Sequence, residues 1–152
     1  MRLGERGIDG ANGDNPYCLT PLTDYLKQAN EETFVVVQVE DTKAVENAYD
    51  MACVDGVDVI FFGPGDFSIL NGIPGQWDHP KIDWAMKTVA DAARRAGKHW
   101  GMPVFSPEWA KRVLDLGGRF LAHGADILWV KAGVESLRDK FGPLGLTFGP
   151  KA

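Results

Sequence analysis

Four short apolar runs recur along the chain, starting near residues 34, 57, 99 and 119, and each is followed by a stretch with helical or turn character. This alternation limits the architecture more than any other feature, because strands separated by helix-length segments are joined in parallel by right-handed crossovers. Phe34-Val35-Val36-Val37-Gln38-Val39 and Val57-Asp58-Val59-Ile60-Phe61-Phe62 are rich in β-branched and aromatic residues, as strands covered by helices require. His99–Phe105 is the third run, with an internal proline, and Phe120-Leu121-Ala122 the fourth. The expected fold is α/β with a parallel sheet.

The connecting segments are consistent with this. Ala44, Val45, Ala48, Met51 and Ala52 fall at helical spacing, which predicts one amphipathic helix over 42–53. Gly63-Pro64-Gly65 predicts the end of the second strand and a loop over 66–78. Pro80 then suits a helix's first turn and Gly97 its left-handed cap. Ser106-Pro107-Glu108 combines a hydroxyl cap, a first-turn proline and an early carboxylate, the start of another helix that Leu116-Gly117-Gly118 closes. Val134, Leu137 and Phe141 mark a last one. Residues 1–33 read as irregular, with a short helix near Leu22–Gln28; 34–142 hold the four βα units, and 143–152 form a Gly/Pro-rich tail.

Composition narrows the function classes. Sixteen Lys+Arg against 21 Asp+Glu give a net charge of -5, a field that repels a phosphate backbone and disfavours nucleic acid as partner. Cys18 and Cys53 are the two cysteines, without CxxC spacing, so neither a zinc ribbon nor a secreted disulfide framework is expected. No apolar stretch suits a signal peptide or a membrane span. The expected place is the cytoplasm.

Ligands of parallel sheets bind beyond the carboxyl ends of the strands. Glu40 directly follows the first strand, and Asp66 follows the second in Gly63-Pro64-Gly65-Asp66-Phe67-Ser68. Adjacent strands lie about 4.8 Å apart, so two carboxylates on one rim could share a divalent cation. Two structural alternatives stand beside this: Glu40 as a charge preceding a helix, and Asp66 as a turn residue. The glycine pair is not a dinucleotide fingerprint, because Ser68 occupies the third glycine position and Pro64 lacks an amide. The amides of Gly65 and Asp66 could instead receive a small anion such as a carboxylate. His79, His99 and His123 have no mutual ligand spacing; only His123, after the fourth strand, is expected on the same rim. The five tryptophans read as core or contact residues, with Trp77 alone in the long rim loop.

Val37-Gln38-Val39-Glu40, the run from Gly56 through Ser68, Ala96-Gly97-Lys98 and Phe120–Asp126 closely resemble the HpcH/HpaI aldolase family, over about residues 5–140. The opening Gly7-Ile8-Asp9-Gly10 resembles that family's Gly-Ile-Arg-Gly loop, with Asp9 at the arginine position. The resemblance implies the C-terminal half of a (β/α)8 barrel. It also implies a metal-dependent lyase that cleaves 4-hydroxy-2-oxo acids to pyruvate and an aldehyde, through a pyruvate enolate. Carried onto this chain, the ligands of Mg²⁺ or Mn²⁺, with Co²⁺ also compatible, are Glu40 and Asp66. Gln38 then lies near the substrate, and the Gly65 and Asp66 amides hold its carboxylate. The oxaloacetate-decarboxylating, macrophomate synthase-like branch shares these motifs.

The family's histidine base and keto-oxygen arginine have no matching position here, and Arg2 and Arg6 lie in the wrong segment. A complete barrel takes about 250 residues, against 152 in this chain. The expectation is weak metal binding and poor turnover by the chain alone, with a second copy or a complementing N-terminal half as partner. A non-catalytic binding module and a complete flavodoxin-like domain are the competing expectations.

Overall fold

The computed structural model describes residues 7, 8, 11, 13, 15–146 and 149. Asp9 and Gly10 of the opening motif, and Arg2 and Arg6, lie outside the described residues. The elements follow in the order α1 (Leu22–Glu32), β1 (Val36–Val39), α2 (Thr42–Glu46), α3 (Ala48–Ala52), β2 (Val59–Phe62), α4 (Pro64–Leu70), α5 (Pro80–Ala96), β3 (His99–Pro103), α6 (Pro107–Asp115), β4 (Phe120–Ala122) and α7 (Asp126–Phe141). The four strands are all parallel and lie in chain order, β1-β2-β3-β4.

The register separates two faces of the sheet. Val39, Ile60, Phe62, Trp100 and Met102 point into a core closed by α2, α3 and α5, with Val45, Ala48, Ile82, Met86 and Val89 among its fully buried residues. Trp100, 2% exposed, donates its indole N–H to the carbonyl of Leu116 at 3.1 Å, so its one polar atom is satisfied. The opposite face carries Gln38, Phe61, Gly101 and Phe120. Across it the rings of Phe34 and Phe120 lie 5.8 Å apart, and those of Phe61 and Phe120 5.6 Å apart. Phe34 leads into the first strand and Phe120 belongs to the fourth. In a flat sheet three strand spacings would hold them about 14 Å apart. The sheet therefore curls, helices outside, into the arc of half a (β/α)8 barrel. Gly101 permits the close approach of β3 and β4, since a Cβ there would fall 1.6 Å from the carbonyl oxygen of Phe120.

The caps expected for α5 and α6 are present. Gly97 takes a left-handed φ of 66° after α5, and the Ser106 hydroxyl accepts from the amide of Trp109 at the start of α6. Pro103 costs little, because it is the last residue of β3. Elsewhere the structure corrects the expectations. The single helix over 42–53 is two, broken at Asn47, whose side-chain amide bonds back to the carbonyl of Lys43 at 2.7 Å and competes with the helix ladder. The loop expected over 66–78 is helical at its start, because α4 runs on to Leu70. Pro64 occupies that helix's first position, where its missing N–H costs nothing, and Asp66 its first turn. Helix α1 extends to Glu32 rather than Gln28. Helix α7 has no buried residue and exposes Leu128, Trp129 and Val130. Among the described residues no helix is long and apolar enough to cross a membrane.

Candidate active site

β1 and β2 pair Gln38 with Phe61 and Val39 with Phe62, so the next residues, Glu40 and Gly63, stand level at the carboxyl rim. The Gly63 amide continues the ladder, donating to the carbonyl of Val39 at 2.8 Å. Above it the Gln38 side-chain amide donates to Glu40 Oε2 at 2.5 Å. That bond uses the amide's nitrogen and leaves its oxygen available on the rim.

The position where alanine would carry its Cβ at residue 63 lies 3.0 Å from Gln38 Nε2, Glu40 Cβ and Glu40 Oε2. The glutamate carboxylate thus folds down over bare backbone. At Gly65, by contrast, a Cβ would meet nothing within 4 Å. The crowding falls on Gly63, which the sequence marks only as a strand end, and not on Gly65, whose amide it offers to an anion.

Gly63 is also the N-cap of α4, and Asp66 is the third residue of that helix. Phe67 N–H is the first to find a helical partner, the carbonyl of Gly63 at 3.2 Å. The amides of Gly65 and Asp66 precede it and have no acceptor within the helix, as at any helix start. Both residues are exposed. The helix is anchored from below by Phe67, fully buried and edge-on to Phe62 with centroids 5.3 Å apart. Buried Ser68 bonds to the carbonyl of Gly65 at 2.7 Å.

Gln38, Glu40, Gly65 and Asp66 therefore share two adjacent strand ends of one rim. Their fit to a divalent cation follows from chemistry and space. Both carboxylates are hard oxygen donors, and among the described residues neither forms an ion pair with lysine or arginine. No group of three or more His, Cys, Asp or Glu gathers anywhere among the described residues. A two-carboxylate site open to solvent suits Mg²⁺ or Mn²⁺, which keep several waters, and does not suit a closed zinc site.

The histidines are distributed differently. His79 caps α5, its Nδ1 accepting from the amide of Lys81 at 3.1 Å, and His99 begins β3 at the far end of the sheet. His123 follows β4 on the rim, with Nδ1 2.7 Å from the carbonyl of Val104. Trp77 and Phe105, from the loops, and Trp109, in the first turn of α6, form an aromatic cluster with centroids 5.0 and 5.9 Å apart, the second pair edge-to-face.

A family model for HpcH/HpaI aldolase/citrate lyase matches residues 3–131. The chain belongs to that family. The 4-hydroxy-2-oxo-heptane-1,7-dioate aldolase of Salmonella typhi is 38% identical over 121 residues, covering 80% of this chain and 46% of that protein. An HpcH/HpaI aldolase/citrate lyase family protein from Burkholderia cenocepacia J2315 superposes with a TM-score of 0.73 at 31% identity, over 90% of this chain and 52% of its own. The HpcH/HpaI aldolase of Desulfitobacterium hafniense DCB-2 gives 0.72 at 29% identity, over 97% and 57%. This chain spans about half the length of the curated relatives it matches and folds as half of the barrel. It carries the family's aldolase and lyase kinship on the segment that includes Gln38, Glu40 and Asp66.

Proposed function

We propose that this chain holds the metal-binding and 2-oxo-acid-binding part of a carbon–carbon lyase acting on 4-hydroxy-2-oxo acids. The observation that carries this reading is the Glu40 carboxylate lying over Gly63, three residues ahead of Asp66 on the neighbouring strand end. Glu40 and Asp66 hold a divalent ion, Mg²⁺ or Mn²⁺. When bound, that ion supplies Lewis-acid stabilisation of the negative charge developing on a keto oxygen as the adjacent carbon–carbon bond breaks. Gln38 fixes the orientation of Glu40 through its amide nitrogen and turns its carbonyl oxygen toward the substrate. The Gly65 and Asp66 amides receive the substrate carboxylate. Proton transfer and binding of the keto oxygen fall to groups contributed by a second copy or by a complementing half of the barrel.

Calorimetric titration of the 152-residue chain with Mn²⁺, alongside Glu40→Gln and Asp66→Asn, tests the site. Each substitution is expected to weaken binding by at least about tenfold, since each removes one of two charged ligands. Unchanged Mn²⁺ affinity in both variants would overturn the assignment. A coupled assay for pyruvate release from 4-hydroxy-2-oxoheptanedioate is expected to show little turnover by the chain alone.

A further inference from the structure

Helix α4 carries Asp66 and has only seven residues. A helix so short does not hold itself in water, so its position is set by what it is tied to. Gly63 precedes it without a side-chain cap, and Gly72, at φ 70°, follows Asn71. Phe67 anchors its underside. An apolar contact is non-directional, however, and fixes depth better than rotation.

Direction comes from Asn71, the C-cap of α4. Its Nδ2 donates to the carbonyl of Phe67 at 2.9 Å, within its own helix. Its Oδ1 accepts from Thr42 Oγ1 at 3.0 Å and from Lys81 Nζ at 3.4 Å. Thr42 opens α2, two residues beyond Glu40, and Lys81 lies in the first turn of α5. The intervening Asp41 is itself fixed, accepting from the amide of Ala44 at 2.7 Å. A continuous polar path therefore runs from the segment bearing Glu40 to the helix bearing Asp66, and one side-chain oxygen joins the two. Both lone pairs of that oxygen are engaged.

We infer that Asn71 is a positioning residue that braces α4 against α2 and α5 and so sets the separation of the Glu40 and Asp66 carboxylates. This rests on the reading of those carboxylates as cation ligands. Asn71 does not touch the ion; it acts through the helix. Releasing the brace lets α4 rotate about Phe67 between its flanking glycines, and the paired carboxylates lose their fixed spacing while the core beneath stays packed.

Mn²⁺ titration of the full chain, with thermal unfolding of every variant, tests the brace. Asn71→Ala removes both ties and is expected to weaken Mn²⁺ binding roughly three- to tenfold, the effect of one or two hydrogen bonds of ordinary net strength. Thr42→Val removes the hydroxyl donor and is expected to weaken binding about threefold, whereas Thr42→Ser restores wild-type affinity. All three unfold within about 4 °C of the wild type. Val113→Ala, a core truncation in α6, lowers the midpoint and leaves Mn²⁺ affinity unchanged, which separates positioning from stability. Wild-type affinity in Asn71→Ala, with wild-type Mn²⁺ binding intact, would overturn the brace and leave the two-carboxylate reading standing. If Asn71→Ala does not fold, Thr42→Val and Thr42→Ser decide, and equal affinities for these two would overturn the brace. Absence of Mn²⁺ binding in the wild-type chain would overturn the underlying reading and the brace with it.

Discussion

Substituting Gly63 by alanine tests the rim at the point where backbone and carboxylate are closest. The φ of Gly63 is -99°, a value open to any L-residue, so the methyl group introduces no left-handed strain. Its effect comes from three contacts at 3.0 Å, to Gln38 Nε2, Glu40 Cβ and Glu40 Oε2. Carbon atoms rest about 3.5–4.0 Å apart, so Glu40 must retreat by roughly 0.5 Å. Its Cβ is the part least able to move, being fixed to β1. Overpacking of this kind costs about 1 kcal/mol at the low end of the usual range, a fall of about 2–4 °C in Tm for a chain of this size. The effect on the cation is larger, because ligand distances tolerate only about 0.2 Å, and disturbing the groups that orient a ligand costs about 10–100-fold in affinity. Calorimetric titration with Mn²⁺ and a thermal melt give the two quantities separately. Gly133→Ala, in the middle of α7 where a Cβ meets nothing within 4 Å, serves as the control. A Gly63→Ala protein that melts with the wild type and binds Mn²⁺ as tightly would refute the proposed geometry.

Other outcomes follow from the same structure. Gly101→Ala places a methyl 1.6 Å from the Phe120 carbonyl oxygen, a backbone atom that cannot step aside; denaturant melts are expected to show a loss of about 3 kcal/mol or more. Glu108 has its carboxyl held below the usual range, first by the Ser106 hydroxyl and then by its own backbone amide. A depressed folded-state pKa contributes stability above the unfolded value and loses it as pH falls through the folded one, so this contribution fades only in acid, below about pH 4. Ser106→Ala is expected to return the Glu108 titration toward the ordinary value by NMR and to cost about 1 kcal/mol through the lost cap. Helix α7, with no buried residue, is expected to exchange its amide hydrogens far faster than α5, which buries seven; equal protection would show α7 to be covered in solution.

The features legible in the sequence were those set by neighbours along the chain. β-branched runs mark β1 and β2, short apolar runs between glycine-bearing turns mark β3 and β4, and Gly97 and Ser106 mark helix ends, because cap and strand chemistry is local. Glu40 was visible for the same reason, following directly on Val39. Helix α4 was hidden because Gly63-Pro64-Gly65 also spells the end of a strand, and the choice between turn and helix start depends on Phe67 finding Phe62 beneath it. The break at Asn47 was masked by apolar spacing that continues on both sides of it. The requirement for glycine at 63 comes from Glu40, 23 positions earlier, and the role of Asn71 from Thr42, 29 positions earlier. Neither partnership leaves a trace in local pattern.

The strict order of the strands also bears on how the molecule is made. Since each strand pairs with the one synthesised just before it, every new βα unit emerging at about 5–20 residues per second finds its edge already in place. Among the described residues β2, β3 and β4 each meet a partner already made, and loop closure stays short at each step. The Glu40–Asp66 rim draws on the first two strands alone, so this corner of the protein can assemble before β3 and β4 have left the ribosome.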